Sequence, residues 1–153
     1  MSEPIIEQIA QWINDALDGV SDDAGTLTLR SIRPKILDWA DLHFVHGDVI
    51  IEMVDIETQS TDLSSYRYEK ATLRLNGIIT QLPEDVKADT VLARLVETIR
   101  RTILAGNILE PPLGGLAKNI DCPAVNYEPI DGGVCAIVTC VVEYRTAIFD
   151  GYS

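Results

Sequence analysis

The densest set of potential ligands in the chain lies in the stretch DWADLHFVHGD, which holds Asp38, Asp41, His43, His46 and Asp48. An HxxHxD arrangement can offer two imidazoles and a carboxylate to zinc or another divalent ion, leaving one position for a water that the metal would acidify. That chemistry would make the protein a small metal-dependent hydrolase. It requires the ligands to converge: two histidines three residues apart share a face of a helix but point to opposite faces of a strand. The β-rich DVIIEMVDIET that follows favours extension. There is no HExxH pattern and no cysteine pair nearby, so these residues read as polar loop positions, and neither metal nor cofactor is expected.

Other chemistry is less well represented. GxSxG, the P-loop and GxGxxG are all missing, and Gly114-Gly115 and Gly132-Gly133 are followed by neither a Lys-Ser/Thr pair nor a capped helix that would cradle phosphate. Cys122, Cys135 and Cys140 are odd in number and without CxxC spacing, which reads as buried free thiols, with Cys135 and Cys140 on opposite faces of one strand. A thiolate inside an apolar strand is poorly stabilised, which argues against a cysteine nucleophile. The residues therefore predict no catalytic site and no enzyme.

Hydrophobic periodicity supplies the elements. Pro4 suits a first helical turn, and Ile5, Ile6, Ile9, Trp12, Ile13 and Leu17 recur at intervals of three and four until Gly19. After a turn at 21–25, Leu27 and Leu29 alternate with Thr28 and Arg30 as in a half-buried strand that Pro34 ends or leaves at an edge. A β-rich run at 48–58 and a second at 66–75, separated by a polar loop at 60–65, should pair antiparallel. In the second, Ala71, Leu73 and Leu75 form a core face, and Lys70, Thr72 and Arg74 a wet one. Asn76-Gly77 is a type I′ turn signal, but Ile78 and Ile79 predict that the strand continues past a bulge at the glycine.

Pro83 closes the strand region, and Asp89 caps a helix whose Val91, Leu92, Leu95, Val96, Ile99, Ile103 and Leu104 form one stripe ending at Gly106. Arg100 and Arg101 suit its C-terminal dipole on a solvated face. The segment 107–119, with Pro111-Pro112 and Gly114-Gly115, is long for a connection and is a candidate contact arm. Strands at 120–127 and from 134 onward, joined by a turn at 131–133, complete an α+β two-layer sandwich, an antiparallel sheet with two main helices packed on it, in one domain over 1–153.

The terminal strand VCAIVTCVVEY is apolar at both parities, with Cys135, Ile137, Thr139 and Val141 opposed to Val134, Ala136, Val138, Cys140 and Val142. A strand wet on one side should be polar at every second residue, so both faces want cover. Ile50, Val54 and Ile56 against Val49, Ile51 and Met53 pose the same question in the strand from Asp48. One solution places a helix on each face and gives a monomer. The other, preferred here, buries the surplus against protein partners, at ~800 Å² per side for a standard interface. Interface candidates are Met53, Pro112, Leu113, Ile137, Thr139 and Val141.

Acidic residues outnumber basic ones by 24 to 12 in 153 residues, a formal charge of −12, without a basic stripe. This argues against sequence-independent nucleic-acid binding, which needs Lys and Arg on phosphates, and no motif for sequence-specific binding appears. The opening MSEPIIEQIA has no signal-peptide pattern and no stretch reaches the ~20 apolar residues of a membrane span, so a cytoplasmic protein without membrane contact is expected.

The segment YRYEKATLRLNGIITQLPEDVKADTVLARLVETIRRTIL, then a Gly/Pro-rich loop, then a hairpin closing on VCAIVTCVVEYRTA, resembles the tail-terminator proteins of long-tailed phages and prophages, the minor tail protein U family of lambda-like phages. The likeness extends to the opening IIEQIAQWINDAL and to the order of elements over nearly the whole chain. It implies a structural protein of the virion tail, made in the bacterial host cytoplasm. Copies would form a homohexameric ring that caps the major tail tube protein, stops its polymerisation and meets the head connector, without catalysis or cofactor. An acidic ring around a channel would let DNA pass without sticking, since like charges repel. Other head-tail joining (neck) proteins share this layout, and a generic cytoplasmic oligomeric binding domain fits the same composition.

Overall fold

A computed structural model describes residues 4–22, 25, 27–33, 45–61, 66–80, 87–109, 117–130 and 132–147. The order of elements is α1 (Ile5–Leu17), β1 (Arg30–Ile32), β2 (Asp48–Thr61), β3 (Tyr66–Ile79), α2 (Ala88–Leu109), β4 (Asn119–Ile130) and β5 (Gly133–Ala147). The strands form one sheet in the order β1-β2-β3-β5-β4, so the fold is α+β. The sheet is mixed rather than wholly antiparallel: β1 runs parallel to β2, from Arg30 opposite Asp48 to Ile32 opposite Ile50. The other three pairings are antiparallel, as expected.

Helix α1 buries Ile5, Ile9, Ala10, Ile13 and Leu17, the stripe its spacing predicts. It packs along β1 and β2, whereas α2 crosses β3, β5 and β4. The buried residues of both helices join Val49, Ile51, Ala71, Leu73, Leu75, Ala136, Val138, Cys140 and Val142 in one core. Register places those strand residues on a single face, for Leu75 stands opposite both Ile51 and Val138. Among the described residues both helices therefore lie on one face of the sheet. Ile50, Ile78 and Cys135, of the other parity, form a separate small cluster edged by Ile32, Ile130 and Ile137. Cys135 and Cys140 do lie on opposite faces, and all three cysteines are free and buried.

Several boundaries differ from expectation. The strand after the first turn starts later: Leu27 and Leu29 are buried, but Thr28 makes only an isolated bridge to Ser21. Asp89 sits within the first turn of α2 rather than before it, and the helix runs through Gly106 to Leu109, because one glycine costs a helix only about 1 kcal/mol. Arg100 is not a solvated end charge: its Nη2 donates to the carbonyl of Cys122 at 3.2 Å. Pro34, Pro83 and the former loop centres at 62–65 and 110–116 lie outside the described residues.

At Asn76-Gly77 the strand continues, but without a bulge; the register with β5 is unbroken from Tyr66 to Ile79. The bulges lie instead in β2, between Met53 and Asp55 and between Thr58 and Ser60. Both residues of the dipeptide have packing roles. The Asn76 amide, 2% exposed, donates to the carbonyl of Ile50 at 3.0 Å. A Cβ on Gly77 would stand 2.7 Å from Leu95 Cδ2, so the missing side chain is what seats α2 on β3. Gly133 answers a similar need, since a Cβ there would collide with the backbone carbonyl of Ile79.

These contacts set stability. Leu73→Ala, at a fully buried position, should lower the unfolding free energy by about 2–5 kcal/mol. Gly133→Ala should lower it by about 1–3 kcal/mol through the backbone clash. Urea denaturation would read both as a lower midpoint at unchanged slope.

Candidate assembly surface

The sheet face away from the helices is organised in rows across β2, β3, β5 and β4. Nearest the β4–β5 turn, Ile78, Cys135 and Glu128 are neighbours, followed by Ile50, Asn76, Ile137 and Asn126. Here the apolar members are sealed in the small second cluster. Further along come Glu52, Arg74, Thr139 and Ala124, then Asp55, Thr72, Val141 and Asp121, then Glu57, Lys70, Glu143 and Asn119. Arg74 Nη1 reaches Glu52 Oε1 at 3.8 Å. Thr139 and Val141 are thus half-buried between charged strands, and Ile137 belongs to the second cluster. The apolar alternation of β5 does not emerge as a continuous oily patch, because the neighbouring strands carry the charges.

Met53 is elsewhere. It stands opposite Leu73, on the parity that the helices cover, yet it is 42% exposed. Burial along β2 stops after Ile51, where α1 no longer covers the strand. Val54 at 41% and Ile56 at 44% continue an exposed apolar strip. The structure therefore does not bring Met53 together with Ile137, Thr139 and Val141; they lie on opposite faces. Pro112 and Leu113 lie outside the described residues.

The strip also borders an edge of the described sheet. β1 pairs with β2 only at Asp48, Val49 and Ile50, so from Ile51 onward β2 has a described strand on one side only. Opposite, β4 is the other edge; Pro123 and Pro129 remove donors from it, and Tyr127 on it is 53% exposed. An edge blunted by prolines resists pairing, while one carrying exposed apolar side chains invites it. Val54, Ile56 and Tyr127 were not singled out as contacts from sequence; strand composition alone cannot tell a covered position from one beyond the end of a helix.

Beyond the apolar core, the same face turns polar. Glu69, 6% exposed, accepts from Thr58 Oγ1 at 3.1 Å and pairs with Arg67 Nε at 3.0 Å. Tyr144, opposite Glu69, is pushed up to about 12 by burial and then by the Glu69 charge. The structural role of this group is plain: it satisfies a buried carboxylate where the sheet outruns its helices.

The candidate metal ligands are engaged otherwise. Asp48, wholly buried, receives Arg30 Nε at 2.8 Å, Arg30 Nη2 at 2.7 Å and the Val45 amide at 2.8 Å. This fork ties β1 to β2. His46 accepts the Thr80 amide on Nδ1 at 3.2 Å. Asp38, Asp41 and His43 lie outside the described residues, among which no group of three His, Cys, Asp or Glu could hold a metal ion. Nor is any described helix long and apolar enough to cross a membrane. No protein-family model matches the chain, and no curated protein matches it.

One titration follows from this geometry. Burial lowers the pKa of His46, and its Nδ1 must stay unprotonated to accept the Thr80 amide. The unfolded chain therefore binds a proton here more readily, and the stability contributed by the neutral ring is lost as pH falls below about 6.5. Urea unfolding between about pH 7.5 and about pH 5.5 should show that loss. His46→Gln should remove the part due to His46; an unaltered slope in that variant would contradict the assignment.

Proposed function

We propose that this chain is a structural subunit of a phage or prophage tail, a two-layer α+β sandwich that works by assembly and not by catalysis. Copies form a ring, of the hexameric type that the tail-terminator resemblance implies, which caps the tail tube, ends its polymerisation and meets the head connector. The observation that carries this reading is the outer part of β2, where an edge without a strand partner among the described residues coincides with exposed Met53, Val54 and Ile56. Such an edge on an otherwise highly charged chain is a contact in waiting.

The bulges at Met53/Asp55 and Thr58/Ser60 fit this use. They break the regular ladder that an open-ended stack of sheets would need, and so favour one defined neighbour. A head-to-tail contact between unlike edges closes into a ring when its rotation divides a full turn. The formal charge of −12 suits a channel through which DNA slides without adhering. Another head-tail joining protein, or a cytoplasmic oligomeric binding domain, would use the same surface but leave tube length unchanged.

Deleting the gene from its phage or prophage separates these. Overlong or headless tails in electron micrographs are the expected result, and tails of normal length on normal particles would remove the termination reading. Met53→Asp combined with Ile56→Asp, at exposed positions, should leave the folded spectrum intact yet fail to complement the deletion. Full complementation would take β2 out of the contact.

A further inference from the structure

Two of the three cysteines face each other. Asp121 stands opposite Val141 and Ala124 opposite Thr139, so the irregularity between them sets Cys122 and Pro123 together against Cys140. Both side chains are wholly buried in the same core, whereas Cys135 lies in the separate cluster on the other face.

The backbone of Cys122 is held by groups outside β5. Its amide donates to Asp121 Oδ1 at 2.8 Å and its carbonyl accepts from Arg100 at 3.2 Å. Residues that face each other across antiparallel strands have Cα atoms about 4.5–5.5 Å apart. That separation lies inside the roughly 4.4–6.8 Å window that a disulfide spans.

We infer that Cys122 and Cys140 are a modification site, a cross-strand dithiol that closes to a disulfide when the protein meets a disulfide oxidant of the glutathione class. The electrostatics give each sulfur a distinct part. The Cys140 thiol donates a hydrogen bond to Cys122, and this, with the Arg100 charge, holds Cys122 below the usual thiol range against the opposing effect of burial. The same hydrogen bond and burial push Cys140 well above it. Cys122 is thus the attacking thiolate.

The Cys122 sulfur attacks one sulfur of oxidised glutathione, forming a mixed disulfide and releasing one glutathione thiolate, which takes up a proton. The Cys140 sulfur, losing its proton, then attacks the Cys122 sulfur, closing the protein disulfide and releasing the second glutathione. Two protein thiols are oxidised and one glutathione disulfide is reduced. Because both sulfurs are buried, access requires β4 to lift from β5. An edge strand with prolines at 123 and 129 is the element suited to do so. The closed bond would then bind β4 to β5, a link independent of the assembly reading.

The test is to equilibrate the native protein with oxidised glutathione, and in parallel to refold it from urea in a glutathione redox buffer, then map disulfides by mass spectrometry. Expected is the loss of two hydrogen atoms per chain, one Cys122–Cys140 bond within the chain, Cys135 free, and a higher urea midpoint that a dithiol reductant reverses. Cys135→Ser should keep the bond, and Cys122→Ser and Cys140→Ser should each lose it. Three free thiols after both treatments, a bond to Cys135, or only bonds between chains would overturn the inference.

Discussion

Both helices bury their apolar stripes against the same side of the sheet, and this allocation governs the rest of the molecule. Leu73, Leu75, Val138 and Cys140 are sealed from water by α1 and α2 together, which supplies the bulk of the hydrophobic driving force. It leaves the reverse side without a helix among the described residues. That side manages by other means: a small cluster around Ile50, Ile78 and Cys135 at one end, and at the other a lattice of Glu52, Arg74, Lys70, Glu57 and Glu143 drawn from neighbouring strands.

The same allocation explains where the protein is unfinished. A strand of 14 residues such as β2 outreaches α1, a helix of 13 residues with a far smaller rise per residue. Past Ile51 the strand runs on uncovered, and Met53, Val54 and Ile56 meet solvent. The chain answers the polar part of this problem internally, with Arg67 and Thr58 around Glu69. The apolar part it leaves exposed at Met53, Val54 and Ile56.

Much of this was legible from residue patterns. The stripes of α1 and α2, the core parity of β3 and the opposed orientation of Cys135 and Cys140 follow directly from periods of 3.6 and 2, because side-chain direction is dictated by local backbone geometry. The interface candidates fared differently. Ile137, Thr139 and Val141 were singled out from the composition of their own strand, but whether an alternating position is oily or wet depends on the side chains beside it, and Arg74 and Asp121 arrive there from other strands. Asn76-Gly77 carries a strong local turn signal that Leu95 and Ile50, distant in sequence, override.

By itself, then, the sequence determined the two amphipathic helices, the long hairpin strands and the lack of any recognisable catalytic motif, since each rests on interactions within a few residues. Tertiary structure alone decided that both helices share one face, that β1 joins in parallel through Arg30 and Asp48, that β2 outruns its cover, and that Cys122 meets Cys140. Those outcomes turn on which distant segments lie side by side, and that is settled by the competition of whole faces for burial.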